Sequence, residues 1–84
     1  MSAEISLVGP VTEVDVSTNP ETGITPTPRG FICDTPGAIA CQLTGDTTYK
    51  TYSGILAGAE YLWALKDINN LAGGTTITGI KLLY

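Results

Sequence analysis

The sequence predicts an all-β fold, a small antiparallel β-sandwich or barrel with an extended acidic N-terminal arm. Three observations carry this. From Arg29 onward, short β-prone runs alternate apolar and polar residues between Gly-, Pro- and Asn-containing turns. Before them, residues 17–28 hold three prolines, one glycine and a single large apolar residue, Ile24. Charge is also unevenly placed. Residues 1–28 carry Glu4, Glu13, Asp15 and Glu21 and no base, whereas residues 29–84 balance Asp34, Asp46, Glu60 and Asp67 against Arg29, Lys50, Lys66 and Lys81. The expected organisation is an arm and Pro/Thr-rich linker over 1–28 and a β body over 29–84.

Each element has a local reason. Residues 3–8 alternate, with Ile5 and Leu7 on one side, until Gly9 and Pro10 interrupt. Residues 11–16 are β-prone with imperfect alternation, so 1–16 reads as two short strands or an extended arm. The prolines of 17–28 lack the donors a sheet ladder needs, and their Thr-Pro repeats favour extended geometry. Residues 29–33 and 38–43 flank Asp34-Thr-Pro-Gly37, where Pro followed by Gly suits a type II turn, so the two runs are expected to form a hairpin. Thr44 to Thr47 is a second turn, and residues 48–53, weakly alternating and polar, read as an edge strand. Gly54 to Gly58 is too short for a helix. Residues 60–68 fit either period, with Tyr61, Trp63 and Leu65 at period two, and the strand-rich context favours a strand. Asn69 to Gly74 is a loop. Residues 75–84 are the closing strand, where Gly79 suggests a bulge or a close approach and Leu82 and Leu83 need a docking neighbour.

Composition narrows the function. The chain has 84 residues and 8.8 kDa, and 43% of it is apolar. That allows one domain with a thin core, which partner subunits commonly supplement. Histidine is absent, which excludes His-based triads, His general bases and His-containing zinc sites. Two cysteines are too few for a disulfide scaffold or a four-thiolate metal site. Four bases against eight acids argue against a nucleic-acid partner. No apolar run approaches the roughly 20 residues that cross a bilayer, and no basic-then-apolar leader is present, so neither a membrane partner nor secretion is expected. A body of zero net charge has little long-range repulsion to keep copies apart.

Several residues invite chemistry. Cys33 and Cys41 flank the Pro-Gly turn. A three-residue loop would set them opposite each other for a disulfide, and a two-residue loop would offset them. Their apolar neighbours favour free buried thiols, and without a histidine base a nucleophilic role is disfavoured. Asp34, Asp46 and Asp67 fall at loop positions, where Asp usually bonds its own backbone, and their spacing is unlike a calcium loop, so no metal or cofactor is expected. The glycine segments lack the Lys and spacing of a phosphate loop. Tyr49 and Tyr52, on the polar strand, are candidates for a ligand or fibre surface. Trp63 reads as core or the centre of a subunit contact.

The order of these segments resembles that of the head-spike base proteins of tailed phages and of phage-derived gene transfer agents. Thr25 to Gly30 leads from a Pro/Thr loop into the first body strand. Phe31 to Asp34 and Gly37 to Leu43 are similar to that family's strand, Gly turn, strand unit, followed by Gly45 and Asp46. Gly54 to Gly58 is similar to its apolar segment between two glycines, and Thr75 to Tyr84 to its Thr-rich closing strand. The resemblance covers about Val14 to the C-terminus. Met1 to Thr12 has no part in it, and the cysteines stand where Val-like residues are expected.

The resemblance implies a non-enzymatic structural protein on the outer surface of a virion head, made in the host bacterial cytoplasm. Copies would form a ring, five-fold at a vertex or alternatively three-fold, held to the major capsid protein and carrying a spike fibre. A trimeric capsid decoration protein and a monomeric carbohydrate- or protein-binding β module are the alternatives. The residues read for these roles are Ile5, Leu7, Val11, Val14 and Val16 for docking through the arm, and Tyr61, Trp63, Ile80, Leu82 and Tyr84 for the subunit interface. On this reading removal of residues 1–16 leaves a folded body.

Overall fold

Two three-stranded antiparallel sheets pack face to face in the computed structural model, which describes residues 11–84. In the first, β6 (Ile80–Leu83) lies between β1 (Val11–Val14) and β2 (Gly30–Ile32). In the second, β3 (Gly37–Leu43) lies between β4 (Lys50–Ile55) and β5 (Leu65–Ile68). The all-β sandwich read from the sequence is therefore the fold. Its core is built by period-two side chains from both sheets, with Phe31, Ile39, Cys41, Leu65 and Ile68 fully removed from solvent.

The acidic arm is corrected over its described part. Residues 11–28 belong to the sandwich. β1 pairs with β6 from Val11 opposite Leu83 to Val14 opposite Ile80. Glu21 exchanges backbone hydrogen bonds with Ile68 at 2.8 and 2.9 Å, and the Ile24 N–H donates to the Lys66 carbonyl at 3.0 Å. Val14, Val16, Ile24 and Pro28 are buried. The acids and the apolar residues occupy alternate positions, so Glu13 and Asp15 face water while Val14 and Val16 face the core. Proline in 20–28 is tolerated because this stretch makes scattered bonds to the β5 edge in place of a continuous ladder.

A second correction concerns the expected hairpin of 29–33 and 38–43. β2 and β3 lie in different sheets, so the Asp34 to Gly37 segment crosses between layers. Gly37 has φ of 157°, and a Cβ there would collide with Thr76. Residues 75–77 occupy the β3 edge beyond β5. The Thr76 N–H donates to the Ala38 carbonyl at 2.9 Å, and the Thr75 hydroxyl accepts from the Ala40 N–H at 3.0 Å while buried. The closing strand is accordingly shorter than 75–84.

Other expectations hold. Leu82 and Leu83 are buried in a strand flanked on both sides. β4 is an edge strand. The Thr44 turn links β3 to β4, closed by the Asp46 N–H donating to the Leu43 carbonyl at 2.8 Å and by the Asp46 carboxylate accepting from the Leu43 N–H at 2.9 Å. Gly79, with φ of 65°, marks a close approach: a Cβ there would meet the carboxylate of Asp34, which pairs with Lys81 at 3.0 Å.

Candidate functional site

The two sides of the sandwich are closed by different segments, and this decides what remains available to a partner. On one side, residues 16–24 run from β1 to β5, with the Leu71 N–H donating to the Val16 carbonyl at 3.0 Å. On the other, residues 58–63 lie between β2 and β4. There Phe31 and Tyr61 exchange backbone hydrogen bonds, both at 2.9 Å, and the Gly58 N–H donates to the Cys33 carbonyl at 2.9 Å. β1 therefore stacks on the β5 side and β2 on the β4 side.

Four aromatic rings fill the β2/β4 flank. The rings of Phe31 and Tyr61 stack at 5.3 Å. Trp63 meets Phe31, Tyr61 and Tyr52 edge to face at 5.5, 5.5 and 5.1 Å. These are favourable quadrupolar geometries. Phe31 is fully buried, while Tyr52, Tyr61 and Trp63 are each half-buried, so the cluster continues the core out to the surface. The Tyr61 hydroxyl accepts from the Leu56 N–H at 2.9 Å. Leu56 and Leu62, 61% and 70% exposed, extend the apolar surface near this flank.

The sheet edges are unequal. The outer edge of β2 is occupied by Tyr61, and that of β5 by Glu21 and Ile24. Among the described residues, no backbone partner lies along the outer edge of β1 or of β4. Alternation within antiparallel ladders identifies the unpaired groups. Ala40 turns its N–H toward Thr75 and its C=O toward Asn69, away from β4, so its opposite number Thr51 also points away from β3. Phe31 faces Tyr61, so Leu82 opposite it faces Thr12 of β1, and Val11 and Glu13 point outward. A bulge at Ser53 and Gly54, where Gly54 has φ of 78°, ends the regular part of β4.

Two grooves border β1. One of about 590 Å³ is lined by Val14, Val16, Leu71, Ile77 and Ile80 with the carboxylates of Glu13 and Asp15 at its rim. The other, about 480 Å³, lies among Thr12, Val14, Ile24, Pro26, Leu82 and Tyr84.

The residues read from the sequence for docking and assembly are therefore dispersed. Val14, Val16, Ile80 and Leu82 are buried core residues, which corrects their reading as exposed docking or interface side chains; their outermost atoms only floor the grooves beside β1. Val11 is 48% exposed on the open β1 edge. Ile5 and Leu7 lie outside the described residues. Tyr52, Tyr61 and Trp63 come together in one cluster, whereas Tyr49 is half-buried in the loop before β4 and Tyr84 is half-buried at the second groove. Leu56 and Leu62 were missed. Leu56 lies in an apolar run between Gly54 and Gly58 that has no alternation, and Leu62 falls on the face opposite the Tyr61, Trp63 and Leu65 alternation, so only the fold shows where the two are exposed.

The ionisable groups are engaged structurally. The Asp46 carboxyl is held below its ordinary value first by the Leu43 N–H, and the Asp15 carboxyl by the Ser17 N–H. The Lys81 ammonium is raised by its hydrogen bond to Asp34, and Asp67 accepts from the Gly23 N–H at 2.9 Å. Cys33 and Cys41 are free and buried. They flank a sheet-to-sheet crossing and no hairpin, so their strands never bring them opposite each other. Burial raises the Cys33 thiol and lifts that of Cys41 to about 11.

The fold and its surface define a small two-sheet β-sandwich with an aromatic flank and two edges that have no backbone partner among the described residues. Known protein families, curated proteins and solved structures give no match to this chain.

Proposed function

We propose that this chain is a non-catalytic structural subunit of a phage-type virion, forming a ring on the outer surface of the head that serves as the base of a spike or fibre. The observation that carries the reading is the pair of sheet edges, on opposite sides of one small sandwich, that have no backbone partner among the described residues. Such edges are a liability in a lone subunit and a joining device in an assembly. Because the two edges are different surfaces, contacts through them are head to tail, and such contacts make a ring where the rotation between copies closes. The similarity in segment order to head-spike base proteins, over about Val14 to Tyr84, supplies the biological setting. A five-fold ring suits a capsid vertex. The major capsid protein lies beneath it and a fibre above.

The aromatic flank favours a second reading, a monomeric binding module that presents Tyr52, Tyr61 and Trp63 to a carbohydrate or a protein. Immunogold labelling of intact virions with antibody against the chain separates the two. Label confined to head vertices supports the ring base. Label spread evenly over the head indicates a decoration protein. Unlabelled virions refute the virion reading.

A further inference from the structure

We propose that the outer β1 edge of one copy pairs with the outer β4 edge of the next, both without a backbone partner among the described residues, making one continuous sheet across each subunit boundary. The inference deepens the ring-forming reading and rests on it. The two edges lie on opposite sides of the sandwich, because residues 16–24 tie β1 to the β5 side and residues 58–63 tie β2 to the β4 side. A subunit therefore cannot satisfy its own β4 edge with its own β1. A second copy can, and repetition of the same step runs in one rotational sense.

Three features fit β4 of one copy to β1 of another. The unpaired backbone groups match in kind: Thr51 on β4, and Val11 and Glu13 on β1, each offer a donor and an acceptor pointing outward. The charges are complementary. The β1 side carries Glu13, Asp15 and Glu21 against one base, Lys81 opposite Glu13 on β6, whereas the turn into β4 sets Asp46 between Lys50, 3.4 Å away, and Lys66, whose ammonium donates to the Asp46 carbonyl at 2.7 Å. Space is also present: the grooves of about 590 and 480 Å³ leave room beside β1 for a neighbouring strand's side chains. The bulge at Ser53 and Gly54 keeps the shared ladder short. The half-buried Tyr52, inward-facing at the same edge as Thr51, then supplies apolar contact beside the ladder.

Proline tests this directly, since at an outward-facing edge position it removes a donor that the subunit's own sheet does not use. Thr51→Pro blocks the β4 edge and Glu13→Pro the β1 edge, both in the full chain. Circular dichroism checks that each variant is folded, and light scattering gives its mass. Wild type is expected to assemble and each variant alone to be monomeric. An equimolar mixture is expected to form a 1:1 dimer that cannot close, because one intact edge of each kind remains. Hydrogen exchange on the wild-type assembly needs no folded variant: the Thr51 and Glu13 amides should be protected in the assembly and exchange rapidly on dilution to monomer. If either folded variant keeps the wild-type mass, or the mixture stays monomeric, or these amides exchange freely in the assembly, the pairing is wrong while the ring reading stands. If wild type is monomeric at every concentration, the ring reading fails and this pairing with it.

Discussion

Replacing Trp63 by alanine probes whether the aromatic flank is part of the core or a ligand platform. A fully buried Trp covers about 150–250 Å², and most of the Trp63 side chain is covered, so it accounts for roughly 150 Å². At about 25 cal/mol per Å² its removal costs about 4 kcal/mol. Loss of the ring contacts with Phe31, Tyr61 and Tyr52 adds about 0.5–1 kcal/mol, since the three overlap. The expected total is about 4–5 kcal/mol, a large share of the roughly 5–15 kcal/mol that stabilises a domain. In a chain of this size it lowers Tm by about 16–40 °C. Trp63→Phe keeps a ring against Phe31 and should cost about 1 kcal/mol. Urea unfolding followed by far-ultraviolet circular dichroism is the suitable assay, because the only tryptophan is lost. Both variants and wild type are compared at one protein concentration, since assembly couples to apparent stability. A loss below about 1 kcal/mol for Trp63→Ala would refute the packing account and return Trp63 to the surface as a binding residue.

Thr75→Val keeps the volume of a buried side chain but deprives the Ala40 N–H of its acceptor, so urea unfolding should show a loss of about 1–3 kcal/mol. Cys41 and Cys33 should resist an aromatic disulfide reagent at pH 8 in the native chain and react fully in denaturant, since burial raises both thiols. The folded Cys41 thiol titrates near 11 against 9.0 when exposed, so the folded state holds the proton more tightly. Stability from this group is fully present below pH 9.0 and is lost as pH rises toward 11, a fall of about 2–3 kcal/mol that a pH series of urea midpoints should show. Deleting residues 1–16 removes β1 with Val14 and Val16, so the remainder should lose several kcal/mol and show little cooperative melting. A sharp wild-type melt would restore the detachable arm.

Local chemistry was legible and sheet assignment was not. The weak polar alternation of Thr48 to Ser53 identified an edge, and the apolar ending identified a strand that needed a docking neighbour. The Thr44 to Asp46 turn and the strong cue at Gly79 were also readable from residue type. The Pro36-Gly37 turn misled because a tight turn between two strands looks the same in sequence whether they pair or pass to opposite sheets. Here Gly37 is required where the crossing passes Thr76, a contact 39 positions away that no local pattern carries. Val14 and Val16 did carry a signal, alternation with Glu13 and Asp15. The acidity of residues 1–28 and the prolines after them outweighed it. The aromatic flank was only half legible: Tyr61 and Trp63 share a face by period two, but Tyr52 and Phe31 reach them through tertiary packing alone.

The central claim is that one small sandwich, with two unlike edges unpartnered among the described residues, assembles into a closed ring. Native mass measured by light scattering on the purified full chain, over a concentration series, tests it most directly. The account predicts a single closed species, a pentamer, whose mass is constant above a threshold concentration. A well-folded monomer throughout the series, or a mass that grows without limit, would contradict it.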